Sequence, residues 1–194
     1  MAFRKPNDYD SVRIGGFKTL PADGYVCRIL KAEETVSKSG RDMLKIAFDI
    51  DEGEHAGYFR TLFNERKDAA ENPKEVSWPF NGTKWILFLN NEGKTNRDFK
   101  SFCTALKDSG TEVWKLDDTF DIKSLKDARL GILFRREEHE YNNVTSWRTV
   151  PYGFRSVATI QSGDYTVPAD KPLVKASDLE NIDSFSAAAD DIPF

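Results

Sequence analysis

No stretch of about 18 apolar residues occurs in this chain, and its opening, MAFRKPNDYD, lacks the apolar segment of an export signal. Neither a membrane span nor secretion is expected, and the cytoplasm is the default compartment. Cysteine is scarce: Cys27 and Cys103 are the only two, each inside an apolar-periodic segment, which points to reduced core thiols and not to a disulfide framework. Histidine is equally rare. His55 and His139 stand far from both cysteines and form no zinc-ligand spacing, so neither a metal nor another cofactor is expected. A phosphate-binding glycine loop and a nucleophile elbow are both missing, which removes support for nucleotide hydrolysis and acyl transfer. Positive charge is not in surplus either. The 28 Lys+Arg against 32 Asp+Glu give a net charge of −4, which argues against a generic polyanion binder.

That net charge averages two unlike regions. Residues 161–194 hold seven acids and two bases, −5, which leaves +1 for residues 1–160. With 39% hydrophobic and 12% aromatic residues over 194 positions, the chain can build one core of ordinary size. A nearly neutral, aromatic-rich body carries an acidic tail.

Alternation marks the body as mainly β. GYVCRILKAEETV (24–36) sets Val26, Arg28 and Leu30 on one face and Tyr25, Cys27 and Ile29 on the other, and SKSGRD then breaks the run as a hairpin loop carrying Lys38 and Arg41. In MLKIAFDID (43–51), Leu44, Ile46, Phe48 and Ile50 share one face and Lys45, Ala47 and Asp49 the other, as in a half-buried antiparallel strand. YFRTLF (58–63) is predicted as a third strand. The following segment, with Pro73, Pro79 and Gly82, allows no long element, and WILFLNNEG is an apolar run of undecided type. NRDFKSFCTALKDSG (96–110) places Phe99, Phe102, Cys103 and Leu106 at helical spacing, with Asn96 as N-cap and Gly110 as stop. RLGILFRREEHE leads out again, Asn142 and Asn143 turn, VTSWRTV leads back, and YGFRSVATI closes the set as a strand. The order predicts an OB-fold-like five-stranded antiparallel barrel with one helix over residues 1–160, although spacing alone does not separate it from other small barrels. From Gln161 the periodicity lapses among Pro168, Pro172 and small residues, so 161–194 reads as a flexible, disordered acidic tail.

Single-stranded nucleic acid is held by bases stacked on aromatic faces while cations follow the phosphates. Three places offer that mixture. WPFNGTKW sets Trp78, Phe80 and Trp85 around Lys84; NNVTSWRTVPYGFR presents Trp147, Arg148, Tyr152 and Arg155, with Tyr141 just before the turn; KSGR supplies Lys38 and Arg41. Lys45 on the polar face of its strand and Arg135 complete the candidate set. The bland alternatives are that the tryptophans cap the barrel and that Arg135 and Arg136 merely balance Glu137 and Glu138.

The stretch 17–59, together with LGILFRREEHEYNN and YGFRSVATI, resembles a family of phage-encoded OB-fold proteins that bind single-stranded DNA in replication, recombination and repair. The ending DDIPF is similar to the extreme C-terminus of bacterial single-stranded DNA-binding proteins, which docks helicases, nucleases, primase and polymerase subunits. The resemblance implies that Asp190, Asp191, Ile192, Pro193 and Phe194 form a partner-binding tip, and a phage origin would place the protein in the host cytoplasm. Two acids beside Ile192 and Phe194 suit an apolar pocket rimmed by Lys or Arg, with Pro193 reducing the freedom lost on docking. Residues 161–185 depart from that likeness in lacking a Gly- and Gln-rich linker.

Catalysis is not required by any of these features. The rival reading is a metal-dependent nuclease using Asp49, Asp51, His55 or the Glu137–Glu140 cluster. A third is a recombination mediator or adaptor that touches another protein more than DNA. Strand edges of such a barrel offer a route to a homodimer, for which the sequence supplies no argument.

Overall fold

Residues whose side chains alternate between core and solvent dictate a sheet with one face buried. The computed structural model describes residues 19–173 of the chain. Within them β1 (Gly24–Val36), β2 (Asp42–Ile50), β3 (Thr83–Leu87), β4 (Arg129–Tyr141) and β5 (Val144–Arg155) form one antiparallel sheet in the order β3-β2-β1-β4-β5. That order makes the fold a five-stranded, OB-like, partly open barrel. The inner face is lined by Cys27, Ile29, Leu44, Ile46, Phe48, Leu130, Ile132 and Phe134, all buried. Both cysteines are buried free thiols, and burial pushes the Cys103 thiol up to about 11.

Two helices plug the barrel. α2 (Arg97–Asp108) follows the predicted pattern: Asn96 caps it by accepting from Asp98 N (2.8 Å), and Phe102 meets Phe154 of β5 edge-on at 5.1 Å. The other plug corrects an expectation. Residues 58–63 are not a third strand but the start of α1 (Tyr58–Ala69), whose Phe59 and Leu62 are buried. Its N-terminus is held by Asp49 at the end of β2, which accepts from Ile50 N (3.0 Å) and Phe59 N (2.9 Å). A carboxylate that satisfies otherwise orphaned N–H groups at a helix start is favoured by the helix dipole. Burial is nevertheless the larger influence and raises the Asp49 pKa, against those N–H groups and Arg60.

The third strand is instead β3, out of the apolar run at residue 85 and the Thr83-Lys84 pair before it. Asn142 and Asn143 make the β4–β5 turn with φ of 50° and 60°, the left-handed pair that a tight hairpin needs. A second correction concerns YGFRSVATI. Strand β5 stops at Arg155, and Val157–Ser162 form a short helix, α3, capped by Ser156 Oγ accepting from Thr159 N. Ile160 of α3 packs where a Cβ on Gly131 would stand, so that position of β4 admits only glycine.

The expected division at residues 160 and 161 falls inside α3. Residues 163–173 carry no long element, yet they are pinned to the body. Tyr165 Oη donates to Asp23 (2.7 Å), Asp170 pairs with Arg136, and Lys171 bridges β4 through Lys171 N to Arg136 O and Glu138 N to Lys171 O, each 2.9 Å. Residues Asp190–Phe194, the expected partner-binding tip, lie outside the described residues. Among the described residues, no helix is long and apolar enough to cross a membrane.

Candidate functional site

A β-bulge decides what the outer face of the sheet displays. The β1–β2 register shifts between Ile29 and Lys31, so Leu30 drops out of the alternation and Lys31 and Glu33 face outward. Two cross-strand rows result: Glu33, Lys45 and Trp85 run across β1, β2 and β3, with Lys31, Ala47 and Thr83 beside them. Glu33 accepts from Lys31 (2.6 Å) and Lys45 (2.9 Å), and these two ammonium groups hold its carboxyl at about 2.

The segment entering β3 raises a wall along this face. Trp78, Phe80 and, from α1, Arg66 close a groove of about 440 Å³ whose floor is the two rows just described. Phe80 is 55% exposed and Trp85 39%, and their rings lie 5.3 Å apart at 35°. The Arg148 guanidinium sits over Phe80 at 5.4 Å. Trp78 is half-buried: its indole N–H donates to Gly82 O (3.0 Å), and its ring packs against Phe63. It shapes the groove and offers little free face. Gly82 is needed beneath it, because a Cβ there would meet Trp78 Nε1 and the Phe59 ring.

A second hollow, about 230 Å³, opens on the far side of the 3₁₀ turn Phe80–Gly82, between α1, the segment at Leu20 and β5. Tyr58, Arg66, Asn81, Trp147 and Arg148 line it. Trp147 is 41% exposed, with the Arg136 guanidinium 5.1 Å from its ring centroid.

The remaining predicted residues fall elsewhere. Lys84 points through the seam where β3 and β5 approach without a backbone ladder among the described residues. Its ammonium donates to Pro151 O (3.2 Å) and Tyr152 O (2.9 Å), and burial lowers its pKa. It bridges the barrel seam through these two backbone acceptors. Arg135 donates twice to Glu137 and covers the Tyr152 ring at 4.4 Å, so the charge-balancing alternative describes it well. Lys38 is exposed on the β1–β2 turn, while Arg41 donates to Asn91 Oδ1; neither lines the groove. Tyr141 is 73% exposed beside the β4–β5 turn. Arg155, at the C-terminal end of β5, donates to Phe154 O.

Sequence reasoning missed Lys31 and Arg66. The bulge concealed the first. Arg66 was legible only if Phe59, Leu62 and Phe63, spaced i, i+3 and i+4, were read as one face of a helix.

Two of the acids named for a nuclease serve the fold. Asp49 caps α1, and Asp51 lies between Arg28 Nε and Arg129 Nε, 2.6 Å from each. Among the described residues, no three His, Cys, Asp or Glu side chains are grouped as a metal site would require. No family model matches the chain, and no curated protein is similar to it.

Proposed function

We propose that this chain is a phage-type single-stranded DNA-binding protein acting in replication, recombination and repair, which holds single strands with little sequence preference and catalyses no reaction. The observation that carries the reading is the pairing of two exposed rings, Trp85 and Phe80, above Lys31, Lys45 and Arg66 on the outer β1–β2–β3 face. In OB-type barrels the face of the second and third strands is where oligonucleotides bind. Every base has a π-face, so stacking there is indifferent to sequence and is worth about 1–3 kcal/mol per base.

Because Lys31 and Lys45 share Glu33, few uncompensated cations line the groove. Single strands give a salt slope of about −0.7 per phosphate neutralised, so the slope here is shallow and stacking supplies much of the affinity. The tip Asp190–Phe194 recruits replication or recombination enzymes, with two acids and two apolar side chains fitted to a basic-rimmed apolar pocket.

Anisotropy of a labelled oligo(dT), measured at several salt concentrations with duplex competitor present, tests the reading. It predicts saturable binding that duplex does not displace, and no degradation of the oligonucleotide in Mg²⁺ or Mn²⁺. Degradation would favour the nuclease, and absence of binding at low salt would favour an adaptor.

A further inference from the structure

Two arginines stand between the groove and the second hollow. Arg66 is exposed on α1 and lines both spaces, and Arg148 lines the second while its guanidinium covers Phe80, a wall of the first. Among the described residues neither forms an ion pair. Arg148 Nε is buried without an acceptor, and Glu137, its partner across the β4–β5 ladder, is engaged by Arg135. The buried Nε is closed to an outside ligand, but the terminal guanidinium nitrogens of both arginines carry no hydrogen bond or ion pair among the described residues and suit an arriving anion, the planar group matching phosphate oxygens two at a time. Beyond them the second hollow offers the Trp147 indole, an exposed stacking surface, beside the Tyr58 ring.

We propose that a single strand crosses the Phe80–Gly82 turn, its phosphate held between Arg66 and Arg148, and places a further base in the hollow of Trp147. This rests on the reading of the groove as a single-strand site and extends it. The Trp85–Phe80 groove is a first base subsite, the arginine pair a phosphate clamp, and the Trp147 hollow a second subsite that only longer strands reach.

The test is affinity against length, using oligo(dT) from about 4 to about 16 nucleotides, the span of single OB modules, with the full chain. Trp85→Ala is expected to weaken every length. Trp147→Ala is expected to spare the shortest strands and weaken the longer ones about tenfold, flattening the length dependence, whereas Arg66→Ala, at a residue that also borders the groove, is expected to weaken every length and the longer strands most. Arg66→Ala should also reduce the magnitude of the salt slope for long strands by about 0.7, one phosphate's share. Trp147→Phe keeps a stacking ring and should retain affinity for long strands, so a loss confined to Trp147→Ala reads stacking and not damage to the fold. If Trp85→Ala weakens binding while Trp147→Ala leaves the length curve unchanged and Arg66→Ala costs short and long strands equally, the second subsite is refuted and the groove stands. If no length binds the wild-type chain, both readings fall together.

Discussion

Arg28 and Arg129 face each other directly across the β1–β4 ladder, yet the contact is settled because both reach Asp51, with Glu52 taking a second hand of Arg129. Arg66 and Arg148 stand beside exposed rings and form no ion pair among the described residues, although Arg148 adds to the pull of Arg135 on Glu137. Like charges opposite each other in a sheet are unfavourable unless something resolves them. In the first place the protein supplies the counter-charge from its own sequence, and in the second the proposed phosphate of a bound strand would supply it. The groove lies between these extremes, with two lysines sharing one glutamate. A cation's neighbours, more than its presence in the sequence, tell whether it belongs to the fold or to a partner.

The comparison can be broken at either end. The largest effect is expected from Trp85→Ala, which should cost single-strand affinity about 1–3 kcal/mol with little change in a thermal melt. Lys84→Ala should do the reverse. Losing the ammonium leaves the carbonyls of Pro151 and Tyr152 without their donor, and a urea titration should show a stability loss of about 1–3 kcal/mol.

Asp51→Ala comes next, because it returns Arg28 and Arg129 to mutual repulsion. Half-exposed arginines are screened, so about 1 kcal/mol of stability should be lost, with oligo(dT) affinity unchanged. The pH dependence sharpens this. Burial works against the Asp51 carboxylate, yet Arg28 and Arg129 hold it below its ordinary 3.8. Its contribution is therefore complete above that value and is lost as the pH falls through the lower folded value. Wild type and Asp51→Ala should converge in stability only in strong acid.

Glu33→Gln should give the smallest change, tightening single-strand binding a few-fold by freeing Lys31 and Lys45. Acidification does not mimic it, because the Glu33 carboxyl is held at about 2 and stays ionised from pH 7 down to 4. Wild-type affinity measured across that range should show no step from this group.

Much of the barrel was legible because its strands obey a local rule. Residues 24–29 and 42–50 alternate, 129–141 and 144–155 are two apolar-led runs joined by an Asn-Asn turn, and 97–108 carry a cap and a helical apolar period. The errors arose where a distant residue decides. The strand-like aromatics of residues 58–63 become helical because Asp49, ten residues earlier, caps the turn. Lys84 looked like a surface cation within an aromatic segment, but its strand faces the open seam, where Pro151 and Tyr152 supply acceptors. For the site, Trp85, Phe80, Lys45, Trp147 and Arg148 could be named from composition. That they fall into two hollows joined at Arg66 depends on where α1 packs.

Intrinsic tryptophan emission during a low-salt titration with oligo(dT) tests the central claim most directly, because a base stacked on an indole quenches it. The account predicts a saturable quench that is much reduced in Trp85→Phe and unaffected by Trp114→Phe, whose ring packs against Phe99 and Phe120 away from both hollows. Emission that stays constant to the highest oligonucleotide concentration, or a quench that survives in Trp85→Phe and disappears in Trp114→Phe, would contradict it.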